Sequence, residues 1–344
     1  MKRETLLITG SNGFLGTALV RRLLEHGGYD VRCLVRPGSD SRRLSSVIAA
    51  FPTVRDGSVS IVSGSLASPA EAGKLLDGVD TVVHLAAALK GPAAEMFLGT
   101  VVSTKNLMEA IAHASAPPRL LSISSFGVYG VAEEPRGAVV DESTPLERHP
   151  ERRDHYSHSK LRQEELVADY RARFGLRVCT LRPGVIYGPG GGAFSGRVGI
   201  DMPGVFLFLG GKNLLPLSYV DNCAEAIRVA LEKATFDGDV YNVHDDDLIT
   251  CADYLRRYQE EVRHMRVLRL PFPATMMLSR AVEWYHRKSR GQLPAIFTPY
   301  KTRTSWQGNR FSNAKLKGLG FQPIVSTEDG LARTFEYLRE KVRA

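Results

Sequence analysis

Residues 6–16 read LLITGSNGFLG, a short apolar run followed by three glycines spaced three apart. The apolar part predicts a buried strand, and residues 14–25, FLGTALVRRLLE, predict an amphipathic helix directly after it. Glycines between such a strand and helix permit a tight turn, a close approach of the backbone to a pyrophosphate, and close packing of the helix. The N-terminus of the helix would then face the phosphates of a dinucleotide. Because the spacing is GxxGxxG rather than GxGxxG, the position directly after the first strand carries the inference.

Beyond this motif, short β-branched runs alternate with amphipathic stretches for about 190 residues. Such an alternation predicts an α/β fold with a doubly wound parallel sheet that is covered by helices on both faces. The predicted strands are residues 6–9, 31–35, 59–62, 79–84, 120–124, 177–181 and 239–243. The predicted helices are residues 14–25, 41–51, 69–76, 96–113, 158–174, 219–233 and 327–339.

The pattern loosens after residue 188. Residues 189–216 are rich in Gly and Pro, which predicts a loop, and the chain from residue 249 onward is mixed helix and loop. We therefore predict a dinucleotide-binding domain of residues 1–188 and 218–245, and a smaller C-terminal substrate lobe of residues 189–217 and 246–344.

The composition is that of an ordinary globular protein. With 344 residues, 43% hydrophobic and 24% charged, the chain is neither disordered, collagen-like nor a coiled coil. No apolar run reaches the ~18 uncharged residues that span a bilayer, and the N-terminus lacks the apolar core of a signal peptide. We expect a cytoplasmic protein without a transmembrane segment. The four cysteines form no CxxC pair, so we predict neither a disulfide framework nor a metal site.

Positive charge is concentrated in the last quarter of the chain. Residues 263–344 hold 16 Lys and Arg against 5 Asp and Glu, a net charge of +11, and the rest of the chain carries −3 of the total +8. Residues 292–320 have a Pro, Gly and Asn content that predicts loops. The basic residues in or near them are Arg303, Arg310, Lys315 and Lys317. Guanidinium groups on loops bind phosphate well, which predicts a small-molecule substrate that is phosphorylated or linked to a carrier. We expect no nucleic-acid partner.

Two other interpretations of this charge stay open. Residues 268–278 are largely apolar, and the basic residues Arg280, Arg287, Lys288 and Arg290 follow them. This pairing is typical of an interfacial segment that makes peripheral contact with a membrane. The remaining interpretation is a charged exterior over a small core. The two tryptophans, Trp284 and Trp306, are expected in the core of the lobe, and a position lining a pocket is the alternative.

A second motif is YSHSK at residues 156–160. Tyr156 and Lys160 are four residues apart, so on a helix they share one face. A neighbouring ammonium favours the phenolate, which would lower the pKa of Tyr156 from ~10 toward the range of a general acid or base. The alternative is a chance pair on a solvated helix.

A third motif is SSFGVYG at residues 124–130, at the carboxyl end of a predicted strand. Ligands bind at this edge of a parallel sheet, so a hydroxyl here could hold a substrate oxygen beside Tyr156. The alternative is a serine that only caps the turn.

Together, the order TGxxGxxG, SSxxVYG, YxxxK resembles the extended short-chain dehydrogenase/reductase family within the NAD-dependent epimerase/dehydratase superfamily. The resemblance covers residues 5 to about 245 and is faint beyond. It implies a Rossmann sheet with a smaller C-terminal substrate lobe. Further matching segments are HLAA at 84–87, RPGVIYGP at 182–189, YVDNCAEA at 219–226 and YNV at 241–243.

The resemblance implies a catalytic set of Ser125, Tyr156 and Lys160, with Lys160 also holding the nicotinamide ribose. Ser125 is chosen over Ser124 because the catalytic hydroxyl of the family lies four residues before the Tyr of the VYG element. A homodimer through the helix that bears Tyr156 is implied as well. The cofactor-binding residues that it implies are Gly10, Asn12, Gly13, Phe14, Leu15, Gly16, Arg36, Leu85, Ala86, Ala87, Tyr156, Lys160 and Pro183.

Members of this family transfer a hydride to or from a carbon that bears oxygen. Sugar-nucleotide 4,6-dehydratases carry Asp-Glu after the catalytic hydroxyl, whereas this chain has Phe126 and Gly127, which argues against dehydration. We predict an NAD(P)-dependent oxidoreductase acting on a secondary alcohol or ketone, similar to the 3β-hydroxysteroid dehydrogenase and dihydroflavonol reductase branches, with Tyr as general acid/base. A nucleotide-sugar epimerase is the alternative. A non-catalytic NADP-binding sensor is a third possibility, against which the retained catalytic set speaks.

The end of the second strand predicts the cofactor. NAD-preferring sites place Asp or Glu there for the adenosine ribose, whereas a basic residue welcomes a 2′-phosphate. Val35 stands at that position and Arg36 follows, as in the VRxxVRDP segment of NADP-dependent dihydroflavonol reductases. We predict NADP, with NAD as the alternative if Arg36 only points into water.

One residue of the matching segments has two possible roles. Arg182, in the RPGVIYGP segment, is either a substrate-binding side chain or a structural hydrogen-bond donor. The sequence leaves both open.

Overall fold

The computed structural model of the chain describes residues 3–51, 58–289 and 298–343. The strands, in chain order, are β1 (Glu4–Thr9), β2 (Tyr29–Val35), β3 (Val59–Ser63), β4 (Thr81–His84), β5 (Arg119–Ile123), β6 (Val139–Val140), β7 (Val178–Pro183), β8 (Val185–Tyr187), β9 (Gly199–Met202), β10 (Val205–Phe208), β11 (Leu217–Tyr219), β12 (Asp237–Val243), β13 (Val267–Arg269) and β14 (Arg310–Phe311). The helices are α1 (Phe14–His26), α2 (Arg42–Ala49), α3 (Pro69–Lys74), α4 (Ala93–Phe97), α5 (Ser103–Ala112), α6 (His155–Phe174), α7 (Val220–Lys233), α8 (Cys251–Glu261), α9 (Phe272–Lys288), α10 (Pro299–Ser305), α11 (Ala314–Gly318) and α12 (Thr327–Arg343).

Seven parallel strands form the central sheet, in the order β12-β7-β5-β4-β1-β2-β3. Leu7 and Ile8 of β1 are both fully buried and face opposite sides of the sheet. Ile8 packs in the core with α1 and α7, and Leu7 packs in the core with α3 and α5. The prediction of an α/β fold with a doubly wound parallel sheet is confirmed. The strand order reverses at β1, which places a crevice at the carboxyl ends of β1 and β4.

The predicted helix 96–113 is not one regular helix. A π-helical segment, Leu98–Val102, joins α4 to α5. Gly99 lies in this segment, where a Cβ would come 3.0 Å from the Cβ of Ala88. The apolar spacing did not reveal the change because one wider turn shifts the periodicity only slightly.

Two stretches that were predicted as loops contain regular structure. Within residues 189–216, β9 and β10 form an antiparallel hairpin, and β10 also pairs with β13. Gly204, at φ +81°, belongs to the two-residue connection, so the Gly and Pro content marks the turn of a hairpin. Within residues 292–320, of which 292–297 lie outside the described part, the chain forms α10, β14 and α11. Pro299 opens α10, a position where proline favours a helix start.

The C-terminal part of the chain contributes to two cores. Tyr254 of α8 and Phe335 of α12 pack with Tyr187 and Phe206 in a core of their own. Leu316 of α11 and Phe321 instead pack into the core around α1 and α7. The predicted boundary between domain and lobe stays a prediction.

Candidate active site

A cleft of about 1140 Å³ lies at the carboxyl edge of the central sheet. All the residues predicted to bind the cofactor line it. They are Gly10, Asn12, Gly13, Phe14, Leu15, Gly16, Arg36, Leu85, Ala86, Ala87, Tyr156, Lys160 and Pro183. Five separate segments of the sequence therefore meet in one place, as the topology of the sheet leads one to expect.

The glycine loop between β1 and α1 fits a pyrophosphate. Gly10 adopts φ +70°, a left-handed conformation. A Cβ at Gly16 would lie 2.2 Å from the carbonyl oxygen of Gly10, so only glycine allows α1 to begin this close to β1. Gly13 is the N-cap of α1, and as a glycine it has no side chain that could accept hydrogen bonds from the amides of the first turn. The amides of the first turn are thus open to a phosphate in the cleft, where the positive end of the helix dipole favours it.

Arg36 lines the cleft just beyond β2. The preceding Val35 is buried, 6% exposed, so the end of this strand offers no carboxylate to a ribose. Within the described part of the chain, no acidic side chain ion-pairs with Arg36, whereas the nearby Arg42 is paired with Asp40 at 2.7 Å.

The helix that carries the predicted acid/base begins with a side-chain cap. Asp154 accepts hydrogen bonds from the Ser157 amide at 2.9 Å and the Ser157 hydroxyl at 2.8 Å. This cap fixes the first turn of α6, in which Tyr156 lies. The Ser125 oxygen accepts a hydrogen bond from the Gly127 amide at 3.1 Å, and the Ser125 side chain lies near enough to the Tyr156 phenol to affect the pKa of that phenol. Ser125 therefore caps the turn and lies beside the phenol.

The expected lowering of the Tyr156 pKa is wrong for this structure. Burial raises the pKa of Tyr156, hydrogen bonding to Ser125 opposes the rise, and the charge of Asp154 adds to it. The Lys160 ammonium donates to the Ile123 carbonyl at 2.7 Å and to the Gln163 side-chain oxygen at 2.9 Å. Burial lowers the pKa of Lys160 to about 7.

A buried hydrogen-bond network that sequence reasoning missed supports Lys160. The Gln163 amide nitrogen donates to the Thr104 hydroxyl oxygen at 3.1 Å, and His84 Nε2 lies 2.9 Å from the same oxygen. Because the Thr104 hydroxyl donates its one hydrogen to the Thr100 carbonyl at 2.6 Å, His84 Nε2 must carry a proton and donate it. The network then passes from His84 Nδ1 to the hydroxyl of Thr9, 2.8 Å away.

His84 is neutral in this arrangement. Burial, together with the charge of Lys160, lowers the pKa of His84 to about 3. Thr9 accepts a hydrogen bond from the amide of Ala86 at 3.2 Å, so the network joins the cleft wall to Lys160. Gln163 lies three residues beyond Lys160, one helical turn away, and that spacing was the available sequence signal.

Arg182 is a structural side chain. Its Nε donates to Glu164 Oε1 at 3.1 Å, both residues are buried, and the guanidinium lies 4.7 Å from the centre of the Tyr129 ring. The hydrogen-bonding interpretation of Arg182 therefore accounts for its position.

The basic residues of the C-terminal lobe do not gather at the cleft. Lys315 and Lys317 lie near Asp239 and Asp246, at 4.0 and 2.8 Å. Arg303 and Arg310 are exposed and are not among the residues that line the cleft. The expected core position of Trp284 is wrong, since 62% of this side chain is exposed on α9.

Comparison with known proteins agrees with this geometry. Residues 6–243 match the profile of the NAD dependent epimerase/dehydratase family. The chain is 27% identical over 354 residues to the 3-beta-hydroxysteroid dehydrogenase of Mycolicibacterium neoaurum, which covers 96% of this chain and 90% of that one. It is 26% identical to the decarboxylating sterol-4-alpha-carboxylate 3-dehydrogenase of Candida albicans, over 98% of each chain. The UDP-glucuronic acid 4-epimerase from Bacillus cereus in complex with NAD has the same fold, with a TM-score of 0.70 and 20% identity over 98% of this chain and 99% of that chain.

Proposed function

Since the chain belongs to the NAD dependent epimerase/dehydratase family and is an enzyme of the extended short-chain dehydrogenase/reductase type, we propose that it oxidises a secondary alcohol or reduces the corresponding ketone. The observation that carries the proposal is that Tyr156 and Lys160 line the cleft whose other end is the glycine loop, with Ser125 beside Tyr156. A non-catalytic sensor has no need of a proton-transfer set.

The residues of the chain would divide the work as follows. The nicotinamide, when bound, supplies or accepts the hydride. Tyr156 donates a proton to the substrate oxygen in reduction and removes it in oxidation. Ser125 hydrogen-bonds the same oxygen and holds the phenol. Lys160 brings positive charge to the site, and the glycine loop holds the pyrophosphate.

The pKa directions favour proton donation. Because burial raises the pKa of Tyr156, the phenol is protonated at neutral pH, as a donor to a ketone oxygen must be. Oxidation needs the phenolate, so we expect the oxidation rate to rise with pH and the reduction rate to fall.

For the substrate, we propose an apolar cyclic alcohol of the sterol or steroid class. Support comes from the two dehydrogenases of that class that align with nearly the whole chain. Apolar residues of the cleft wall beyond the glycine loop, Leu89, Leu98 and Ile186, suit such a substrate.

For the cofactor, we propose NADP in preference to NAD. Arg36 lines the cleft without an acidic partner within the described residues, and Val35 takes the place of the ribose-binding acid. A guanidinium there can hold a 2′-phosphate through paired hydrogen bonds.

A nucleotide-sugar epimerase is the second candidate, because the family that matches residues 6–243 includes epimerases by its description. An epimerase must keep its reduced cofactor while the keto intermediate turns over, whereas a reductase releases it.

The test is an assay of purified protein with NADPH or NADH against ketosteroids, with the reverse reaction on 3β-hydroxysteroids, followed by absorbance of the reduced nicotinamide. Net conversion that is faster with NADP(H) is expected. No net conversion, together with tightly bound cofactor and interconversion of a nucleotide sugar, would assign the chain to the epimerases.

The predicted homodimer through α6 is also a proposal. Val102, 40% exposed, lies just before α5, which packs beside α6. Sedimentation velocity is expected to give twice the mass of the chain, and Val102→Ser should shift the equilibrium toward monomer.

A further inference from the structure

Helix α9 of the C-terminal lobe packs on α10 through one face. Thr275 and Ser279 lie on this inner face and are buried, and the Ser279 hydroxyl lies 2.6 Å from that of Thr302. The small polar residues let the two helices approach closely and fix the rotation of α9. The opposite face of α9 is consequently turned to solvent.

That outer face is unusually apolar. Met277 is 71% exposed, Trp284 62%, Tyr285 50% and Leu278 38%. With Leu268 and Phe272, six of the 15 exposed large hydrophobic residues in the described part of the chain fall within 18 residues. Met277 and Trp284 are two helical turns apart, as are Leu278 and Tyr285. The four side chains therefore form one continuous patch rather than isolated exposed residues.

Positive charge borders the patch. Arg280 and Arg287 are seven residues apart and lie on the same side of α9, and Lys288 lies 5.0 Å from the centre of the Trp284 ring. Glu283 is the one acidic residue between positions 263 and 288, and it pairs with Arg287 at 3.4 Å. Arg290, which belongs to the same basic run, lies outside the described residues.

We propose that the outer face of α9 binds the surface of an anionic lipid bilayer. Met277, Trp284 and Tyr285 would enter the boundary between headgroups and acyl chains, and Arg280, Arg287 and Lys288 would contact lipid phosphates. The contact is peripheral, since no described helix combines the length and apolar character needed to cross a bilayer. Binding of a bilayer by this face requires no particular substrate or cofactor in the cleft.

Charge distinguishes a bilayer from a second copy of the chain as the occupant. A two-fold interface centred on this face would bring the same cations of both copies together. Like charges at a closed interface are unfavourable, whereas an anionic surface neutralises them.

The face is also connected to the catalytic helix through α10. The Tyr300 hydroxyl of α10 donates to Glu147 Oε1 at 2.5 Å, and Arg153 donates to the other oxygen of Glu147 at 3.1 Å. Arg153 directly precedes Asp154, the N-cap of α6. Only α10 and this segment thus separate the proposed membrane contact from the start of the helix that carries Tyr156.

The first test is co-sedimentation of the full chain with vesicles of phosphatidylcholine alone and of phosphatidylcholine mixed with phosphatidylglycerol. We expect binding to the mixed vesicles and little to the neutral ones. Replacing Arg280, Arg287 and Lys288 by Gln should weaken binding by about fivefold per residue at low salt. Its charge-matched control replaces the exposed Lys74, Lys105 and Lys341 by Gln and should leave the preference for anionic vesicles intact.

The apolar part is tested by Met277→Ser with Trp284→Ser, which should weaken binding at every salt concentration. The matched control is Ile324→Ser with Val342→Ser, two residues that are 46% and 50% exposed elsewhere. A chain with Trp306→Phe keeps Trp284 as its single tryptophan, and its emission should shift to the blue on addition of anionic vesicles.

Two results would overturn the proposal. One is an emission of Trp284 that anionic vesicles leave unchanged, or sedimentation that the α9 variants do not reduce more than their controls. The other is an oligomeric state, measured without lipid, that Met277→Ser with Trp284→Ser changes, because the face would then bind a second copy.

Discussion

The nucleotide-binding part and the C-terminal lobe differ in which side chains they bury. The first buries polar and charged side chains, and the second exposes apolar ones. In the former, His84, Lys160 and Gln163 are 3% exposed or less, and each has a hydrogen-bond partner. In the latter, Met277 and Trp284 leave most of their surface in solvent. Buried polar groups and exposed apolar patches are both costly unless something satisfies them. The first set is satisfied within the chain, which suits chemistry, whereas the second needs an external partner, which suits attachment.

The largest expected effect is at the phenol of Tyr156. Tyr156→Phe removes the hydroxyl that we propose as the general acid/base and keeps the ring in the cleft wall, so turnover should fall about a thousandfold. Binding of the reduced cofactor, measured by its fluorescence, should persist. Full activity of this variant on a substrate of the wild-type protein would remove Tyr156 from the chemistry and weaken the contrast between the two parts.

Next in size is the buried ion pair under the site. Glu164→Ala leaves Arg182 buried without its carboxylate, which should lower the free energy of unfolding by about 3 kcal/mol. The control, Glu260→Ala, breaks an exposed pair with Arg256 on α8 and should cost about 0.5 kcal/mol or less. Denaturant unfolding measures both. Equal losses would mean that burial does not set the energetics of charge in this chain.

This contrast also explains what the sequence could predict. The glycine loop lies within one strand–turn–helix unit, so its three glycines could be identified from the local sequence alone. Tyr156 and Lys160 are one helical turn apart, so their shared face could equally be predicted from the sequence. The direction in which the pKa of Tyr156 shifts could not. That direction depends on burial by segments distant in the sequence.

What escaped prediction depends on long-range contact. Thr104 and Gln163 meet although 59 residues separate them, and nothing in either segment points to the other. The hairpin of β9 and β10 is stabilised by pairing with β13, more than 50 residues later. The exposure of Trp284 follows from how α9 packs on α10, and this packing cannot be predicted from the amino-acid composition.

A third prediction concerns Arg36, an exposed residue that lines the cleft. Arg36→Ala should weaken NADP binding about tenfold and leave NAD binding unchanged, because it removes hydrogen bonds to a 2′-phosphate alone. Arg42→Ala is the matched control, since Arg42 is already paired with Asp40. Titration of both cofactors measures the ratio, and a preference for NAD that Arg36→Ala leaves unaltered contradicts the NADP assignment.

A fourth prediction tests the network beneath Lys160. Gln163→Leu removes an acceptor from the ammonium and should lower the pKa of Lys160 below about 7, whereas Gln163→Glu adds a negative charge and should raise it. If ketone reduction needs the ammonium, the reduction rate falls as pH rises through this pKa. The fall should therefore move to lower pH in the Leu variant and to higher pH in the Glu variant, by roughly one unit each. Profiles that move together, or not at all, would leave Gln163 with a packing role only.

The smallest effect is expected from the basic loops of the lobe. Arg303 and Arg310 are exposed and do not line the cleft, so replacing both by Ala should change KM by less than about twofold. This reverses the expectation from charge alone, under which the same change raises KM for a phosphorylated substrate. Measuring KM at low and high salt separates the two, because exposed charges are screened beyond about 10 Å at 0.1 M salt. A KM that rises severalfold at low salt and recovers at high salt would show that the positive charge of the lobe acts on the substrate. Membrane attachment and catalysis would then no longer be divided between the two parts of the chain.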